Sequence, residues 1–278
     1  MKIFVSADYE GTLGGASWRE EKTKRILEEV QLFIEALKEA GIWNQVETVT
    51  ICDSHGRGEN IDYTDFSKKL DEKVSLISGP IKRYFMMEGI DRGYDCVVFL
   101  GYHSRSGEIA GSMDHTYAGG SIYRVSLNGS PVGEMELNAY LAGYYGVPIA
   151  LVSGDETLAS QVRDFLGKRF PTVVVKRAVS RYCSEFFALA EVKKRYTKSI
   201  RQAFKTGKTW KIRKLKGEIE LVIEFTTTSR CDLASIIPHI ERINGYSVRY
   251  RDNDYDRVFR MLDTAMMVAR TEYFIERK

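Results

Sequence analysis

Along the first two thirds of this 278-residue chain, short apolar runs alternate with amphipathic segments. That alternation is the strongest constraint on its fold. Residues 2–7, 46–52, 74–78, 95–100, 148–152 and 172–176 have strand character, and 96–100 is apolar without a break. A continuous run of that kind is expected where a strand is covered on both faces. Between these runs, residues 20–40 place Ile26, Val30, Phe33, Ile34 and Leu37 at helical spacing, with Gly41 as a stop. Residues 80–88, 133–145 and 156–166 are further helical segments. Residues 121–127 form a strand ending at Asn128-Gly129, a hairpin-type turn. The pattern predicts an α/β fold, a mainly parallel sheet flanked by helices.

The pattern changes after about Ser184. A helix is expected from Ser184 towards Phe204, then strands at 218–225 and 246–250 and a long helix at 254–274. The expected division is an α/β domain over 1–195 and a smaller α+β domain over 196–278. Hydrophobic content of 44% and charged content of 28% suit a chain with a sizeable core. No apolar run approaches the ~18 residues of a membrane span. The N-terminus enters a strand directly, without signal-peptide anatomy, so a cytoplasmic location is expected. The net charge of +3 says little about partners. Residues 193–216 hold 11 basic residues and no acidic one. A nucleic-acid surface is one reading, but no nucleic-acid motif accompanies the stretch, and a solvated helix face with a linker is preferred.

The chain has 4 histidines, and three fall in short polar motifs: Asp53-Ser54-His55, Gly101-Tyr102-His103 and Met113-Asp114-His115. His55 and His103 each follow the end of an apolar strand by three residues. Asp8 and Glu10 follow the first strand and are two apart, so period-two geometry points both side chains one way. Two carboxylates held together repel unless a cation or proton sits between them. In an open α/β sheet, ligands bind at the carboxyl edge of the strands. If the three strands are parallel neighbours, these four side chains converge. Glu134 opens the next helix, where the helix dipole favours a carboxylate; its sharper role is a fifth metal ligand. Glu136 is its rival, and Asn138 shares Glu134's face.

Asp8, Glu10, His55, His103 and Glu134 thus make three carboxylates and two imidazoles. Such a set suits Zn2+, two ions better than one. His115 is then a loop histidine, a sixth ligand, or a catalytic group acting as acid, base or cation. The catalytic role is preferred, because five ligands already fill a dinuclear site. Cys52 and Cys96 lie in apolar runs as expected buried thiols, with Cys52 a minor rival ligand. His239 is expected to be structural.

These residues resemble the zinc-dependent D-aminopeptidase family of the dipeptide-transport operon type. The resemblance rests on Ser6-Ala-Asp-Tyr-Glu-Gly11, Asp53-Ser-His55, Leu76-Ile-Ser-Gly79, Phe99-Leu-Gly-Tyr-His103, Met113-Asp-His115, Pro131-Val-Gly-Glu134, Asn138-Ala-Tyr140, Ala142-Gly-Tyr-Tyr145 and Gly154-Asp155. It is clear over roughly residues 1 to 180 and fainter beyond. It implies two Zn2+ per subunit, with Asp8 bridging, Glu10 and His103 on one ion, and His55 and Glu134 on the other. It implies that His115 is the catalytic group, and that the chain assembles into a homo-oligomer, a decamer of two stacked pentamers. The loop 11–17 is shorter than the family pattern, and the basic stretch is particular to this chain. Both bear on the pocket more than on the hydrolytic chemistry. The expected activity is removal of N-terminal residues, D-residues by the resemblance, from short peptides. The alternatives are another two-metal hydrolase such as a phosphoesterase, and a non-enzymatic metal- or nucleic-acid-binding protein.

Overall fold

The apolar runs fold as strands, with the first in the interior of the larger sheet. A computed structural model describes residues 1–19, 21–206 and 209–275. Glu20, where the first helix was expected to start, and Gly207 and Lys208 of the basic stretch lie outside the described residues. In chain order, β1 (Lys2–Ala7) leads to α1 (Lys22–Glu39), β2 (Thr48–Asp53), α2 (Tyr63–Lys69), β3 (Val74–Ile77) and β4 (Cys96–Tyr102). The hairpin β5 (Ile122–Leu127) and β6 (Ser130–Val132) precedes α3 (Glu134–Tyr144) and β7 (Ile149–Asp155). Then come α4 (Glu156–Leu166), β8 (Thr172–Ser180), β9 (Cys183–Phe186) and α5 (Leu189–Thr206). The chain continues through β10 (Ile219–Phe225), α6 (Thr228–Ser235), β11 (Glu241–Arg242), β12 (Ser247–Asp252), α7 (Tyr255–Arg270) and α8 (Glu272–Ile275).

A 7-stranded sheet runs β3-β2-β1-β4-β7-β8-β9, parallel except for β9, and a 5-stranded antiparallel sheet runs β11-β12-β10-β5-β6. This is the expected α/β class with a second, antiparallel sheet. β4 and β7 are buried along their whole length, as helices and layers on both faces require. Alternate side chains of β1 enter opposite cores. Ile3, Val5 and Ala7 pack under α1 and α5, with Ile26, Val30, Phe33, Ile34 and Leu37 of α1. Phe4 faces the other way, into a core shared with α3, α7 and the second sheet. Each such buried aliphatic or aromatic side chain stabilises the fold by about 1.5–3 kcal/mol.

Several local expectations change in three dimensions. The second sheet takes β5 and β6 from within the stretch assigned to the first domain. α5, which spans the expected boundary, packs on α1 and β8 of the first sheet. The helix expected from Ser184 starts at Leu189, because β8 runs on to Ser180 and turns back as β9. Only Phe85–Met87 of the segment 80–88 is helical, as one 3-10 turn. The helix expected over 254–274 breaks at Thr271. In the basic stretch, the Lys211 backbone pairs with Ile149 and Arg213 stacks on Phe165 at 4.6 Å. Those contacts make part of it a packed connection. His239 is exposed in a left-handed turn at φ 70°, and carries no core role. Among the described residues no helix is long and apolar enough to cross a membrane.

Candidate metal centre and catalytic site

β2 and β4 flank β1 in parallel, and Ala7 lies opposite both Asp53 and Leu100. His55 and His103 lie two and three residues beyond those positions, so this register brings both beside the end of β1. The crossing is tight. A Cβ on Gly11 would lie 1.7 Å from the Tyr102 carbonyl oxygen. Gly101 sits at φ 66° with its Cβ position 2.4 Å from the Asp8 carbonyl oxygen. Neither position admits a side chain, so the glycines let the two motif loops touch.

His55 Nδ1 lies 3.0 Å from Glu10 Oε2 and 3.5 Å from Asp8 Oδ1. His103 Nε2 lies 3.6 Å from Asp8 Oδ2 and 3.4 Å from Glu134 Oε1. His115 Nε2 lies 3.7 Å from Glu134 Oε1 and 3.8 Å from Glu10 Oε1, and its ring stacks on His103 at 4.3 Å. All six side chains expected in the site thus meet. The shortest contacts pair His55 with Glu10 and His103 with Glu134. Donor atoms of Asp8, Glu10 and His103 cluster within 4.8 Å of one another, as do those of His103, His115 and Glu134. Cys52 belongs to neither cluster; its Sγ faces the Phe85 carbonyl.

The donor set fits a metal on two grounds. Asp8 Oδ2 and His103 Nε2 are buried with no hydrogen-bond partner, an arrangement that is costly unless something else is bound there. The His103 tautomer also suits ligation. Its Nδ1–H donates to the Ser104 carbonyl at 2.9 Å, leaving Nε2 to face the carboxylates.

Electrostatics point the same way. Burial and the neighbouring Glu10 push Asp8 up to about 7. Burial alone would lower His55 and His103, but Glu10 and Asp8 around the first, and Glu134, Glu10 and Asp8 around the second, push both up to about 10. Burial would raise Glu10, yet the imidazoles, His55 foremost, hold it well below the usual carboxylate range. Such a cluster holds positive charge strongly, as protons or as a metal that displaces them. His115 goes the other way. Burial and His103 lower it, which favours the neutral ring.

Each motif has its own support. The Asp53 carboxylate accepts from Asn60 N at 2.6 Å and Ile61 N at 2.8 Å, and Asn60 Nδ2 donates to the His55 carbonyl. That pins the loop carrying His55. At α3, Glu136 accepts from the Gly133 N–H at 2.9 Å and so takes the helix-start role. Glu134 is left to face the site, fixed by the Tyr117 N–H at 2.7 Å. Beneath it, Asn138 accepts from the Tyr117 hydroxyl and donates to the Tyr102 hydroxyl, both at 2.9 Å.

Other contributors carried no periodic signal. Trp18 Nε1 donates to Glu10 Oε1 at 2.7 Å, and its ring meets His115 edge-on at 5.8 Å. Lys176 is fully buried and donates to the carbonyls of Glu10 and Gly15. A lysine closing a run of three valines was the one sequence hint of it. A cavity of about 270 Å3 opens over the cluster, lined also by Phe85, Tyr117, Gly119, and Met266 and Arg270 of α7.

Comparison with known proteins gives the family. The family profile peptidase M55, described as D-aminopeptidase, matches residues 1–264. A D-aminopeptidase of Bacillus subtilis (strain 168) is 29% identical over 283 residues, covering 97% of this chain and 99% of that protein. A solved structure, the Zn-dependent D-aminopeptidase DppA from Bacillus subtilis, described as a self-compartmentalizing protease, superposes with a TM-score of 0.86. It is 28% identical, over 97% of this chain and 98% of that one. A match of this extent decides against the phosphoesterase and binding-protein readings. With its fold and buried carboxylate–imidazole cluster, this chain belongs to the peptidase M55 family and is a D-aminopeptidase.

Proposed function

We propose that the chain removes N-terminal D-residues from short peptides, using two zinc ions held by Asp8, Glu10, His55, His103 and Glu134, with His115 as the proton-transferring group. One observation carries the dinuclear reading. The two oxygens of Asp8 face different imidazoles, Oδ1 towards His55 and Oδ2 towards His103, as a bridging carboxylate would. Glu10 and His103 would complete one site, consistent with the donor cluster they form with Asp8. His55 and Glu134 would complete the other, as the family pattern implies. Zinc at these positions supplies Lewis-acid chemistry, lowering the pKa of water and polarising the scissile carbonyl.

The remaining work falls to the side chains. His115 Nδ1–H donates to the Met113 carbonyl at 2.9 Å, so the lone pair of the neutral ring is on Nε2, facing the carboxylates. Nε2 takes a proton from the attacking water and returns it to the amide nitrogen as the C–N bond breaks. The products are a free amino acid and a peptide one residue shorter. Trp18 holds Glu10 in orientation through its indole N–H.

The donor cluster of His103, His115 and Glu134 supports a second reading, with His115 as a ligand. Zinc content of His115→Ala separates the two: retained zinc with little turnover supports the catalytic role, and lost zinc supports ligation. D- and L-dipeptide panels with added Zn2+ test the activity, and hydrolysis of the L-series alone would overturn the stereochemical part. The self-compartmentalizing relative supports a homo-oligomer, proposed as a decamer, which sedimentation analysis measures directly.

A further inference from the structure

One charged residue on the wall of the cavity over the cluster has no part in the hydrolytic chemistry. Arg270, at the C-terminal end of α7, is the only lysine or arginine among the lining residues. It also lines an adjoining cavity of about 630 Å3, and Gly56, Tyr117 and Gly120 are common to both. Arg270 therefore stands where the inner cavity meets the outer one. Among the described residues, no carboxylate or aromatic ring engages its guanidinium. Arg230, the other arginine of the outer cavity, is engaged: it pairs with Glu272 and donates to the Gly120 carbonyl at 2.7 Å.

A basic residue in the last turn of a helix has a plain explanation in the helix dipole. That explanation accounts for the charge, but not for its place on the wall of a cavity whose other charged groups are carboxylates and imidazoles. The substrate supplies what is missing. Beyond the scissile amide a dipeptide has a single residue left, at most about 3.6 Å of extended chain, before its carboxylate. That carboxylate must end inside the cavity or at its junction with the outer one. A guanidinium matches a carboxylate with two parallel N–H···O bonds, a geometry lysine cannot reproduce.

We propose that Arg270 binds the free C-terminal carboxylate of the substrate and thereby sets the preference for very short peptides. The inference rests on the aminopeptidase reading above and adds a determinant of peptide length.

The test compares a D-dipeptide with its C-terminal amide, in the zinc-loaded wild type and in Arg270→Gln. The wild type is expected to favour the free acid in kcat/KM by about tenfold to a hundredfold, the range of one charge-assisted pair. In Arg270→Gln that ratio should fall towards one, mainly through a higher KM for the acid. Arg270→Lys should recover only part of it. An acid-to-amide ratio near one in the wild type, or a ratio unchanged by Arg270→Gln, overturns the proposal. So does a changed particle mass for the variant by light scattering, which would place Arg270 at a subunit contact. If the wild type cleaves neither substrate, the aminopeptidase reading itself fails, and the two failures are told apart.

Discussion

Charged groups in this protein follow two opposite patterns. At the ends of β1, β2 and β4, carboxylates and imidazoles are buried or largely so, like charges crowd together, and Asp8 Oδ2 and His103 Nε2 lack any hydrogen-bond partner. On β10 and β12 of the second sheet, charge is more exposed and paired. Arg249 bridges to Glu241 at 2.7 Å, Arg251 to Glu220 at 2.5 Å, and Arg257 to Asp252 at 2.6 Å. Exposed pairs contribute little, with a median of about 0–1 kcal/mol. Buried, crowded charges are costly and persist where function requires them. The contrast separates a solvated surface from a candidate metal site.

Substitutions can sharpen or break that contrast. The largest effect is expected at Asp8. Asp8→Ala should lose zinc and lower kcat/KM by about a thousandfold or more, since several kcal/mol of barrier lowering go with the metal. Full zinc occupancy by elemental analysis would remove Asp8 from the bridging role. His115→Ala should keep zinc and lose about 10²–10⁴ in kcat; near-normal turnover would exclude His115 from proton transfer.

Trp18→Phe removes a hydrogen bond to Glu10 while keeping the ring against His115. A loss of about tenfold to a hundredfold in zinc affinity is expected, read by chelator competition. Unchanged affinity would make Trp18 a lid and not a support for Glu10.

The pH dependence follows from the same cluster. For protein stripped of zinc by a chelator, His55 and His103 have folded pKa values raised from 6.5 to about 10. Their stabilising effect is then fully present below pH 6.5 and lost as pH rises towards 10. Denaturant midpoints of the chelated protein should fall across that window, and zinc should flatten the fall. Burial and His103 hold His115 below the usual imidazole range, so kcat is expected to fall as the pH is lowered. The smallest effect is expected at the surface pairs. Glu241→Ala should shift stability by less than about 1 kcal/mol; a shift of several kcal/mol would erase the distinction drawn between the two regions.

Much of the centre was legible because one geometric rule connects sequence to space. Parallel neighbours bring the residues just past their strand ends to one edge, so Asp8, Glu10, His55 and His103 converge once β2-β1-β4 pair. The helix face shared with Asn138 favoured Glu134 over Glu136, and in the structure Glu136 accepts from the Gly133 N–H while Glu134 faces the cluster. The β5–β6 hairpin was visible as a turn, but its partner was not. A period-two pattern specifies which face is buried and not which strand lies alongside, and the hairpin joins β10 about 90 residues later.

Local pattern and spacing by themselves determined the strand and helix alternation and the placement of Asp8, Glu10, His55 and His103 just past strand ends. Those follow from neighbours in sequence and from the carboxyl-edge rule. Tertiary structure alone decided that α7 closes the cavity with Met266 and Arg270, that Trp18 and Lys176 brace the Glu10 loop, and that the second sheet shares a core with the first. Those contacts join residues up to more than two hundred positions apart, and no periodicity encodes which distant side chains will share a wall.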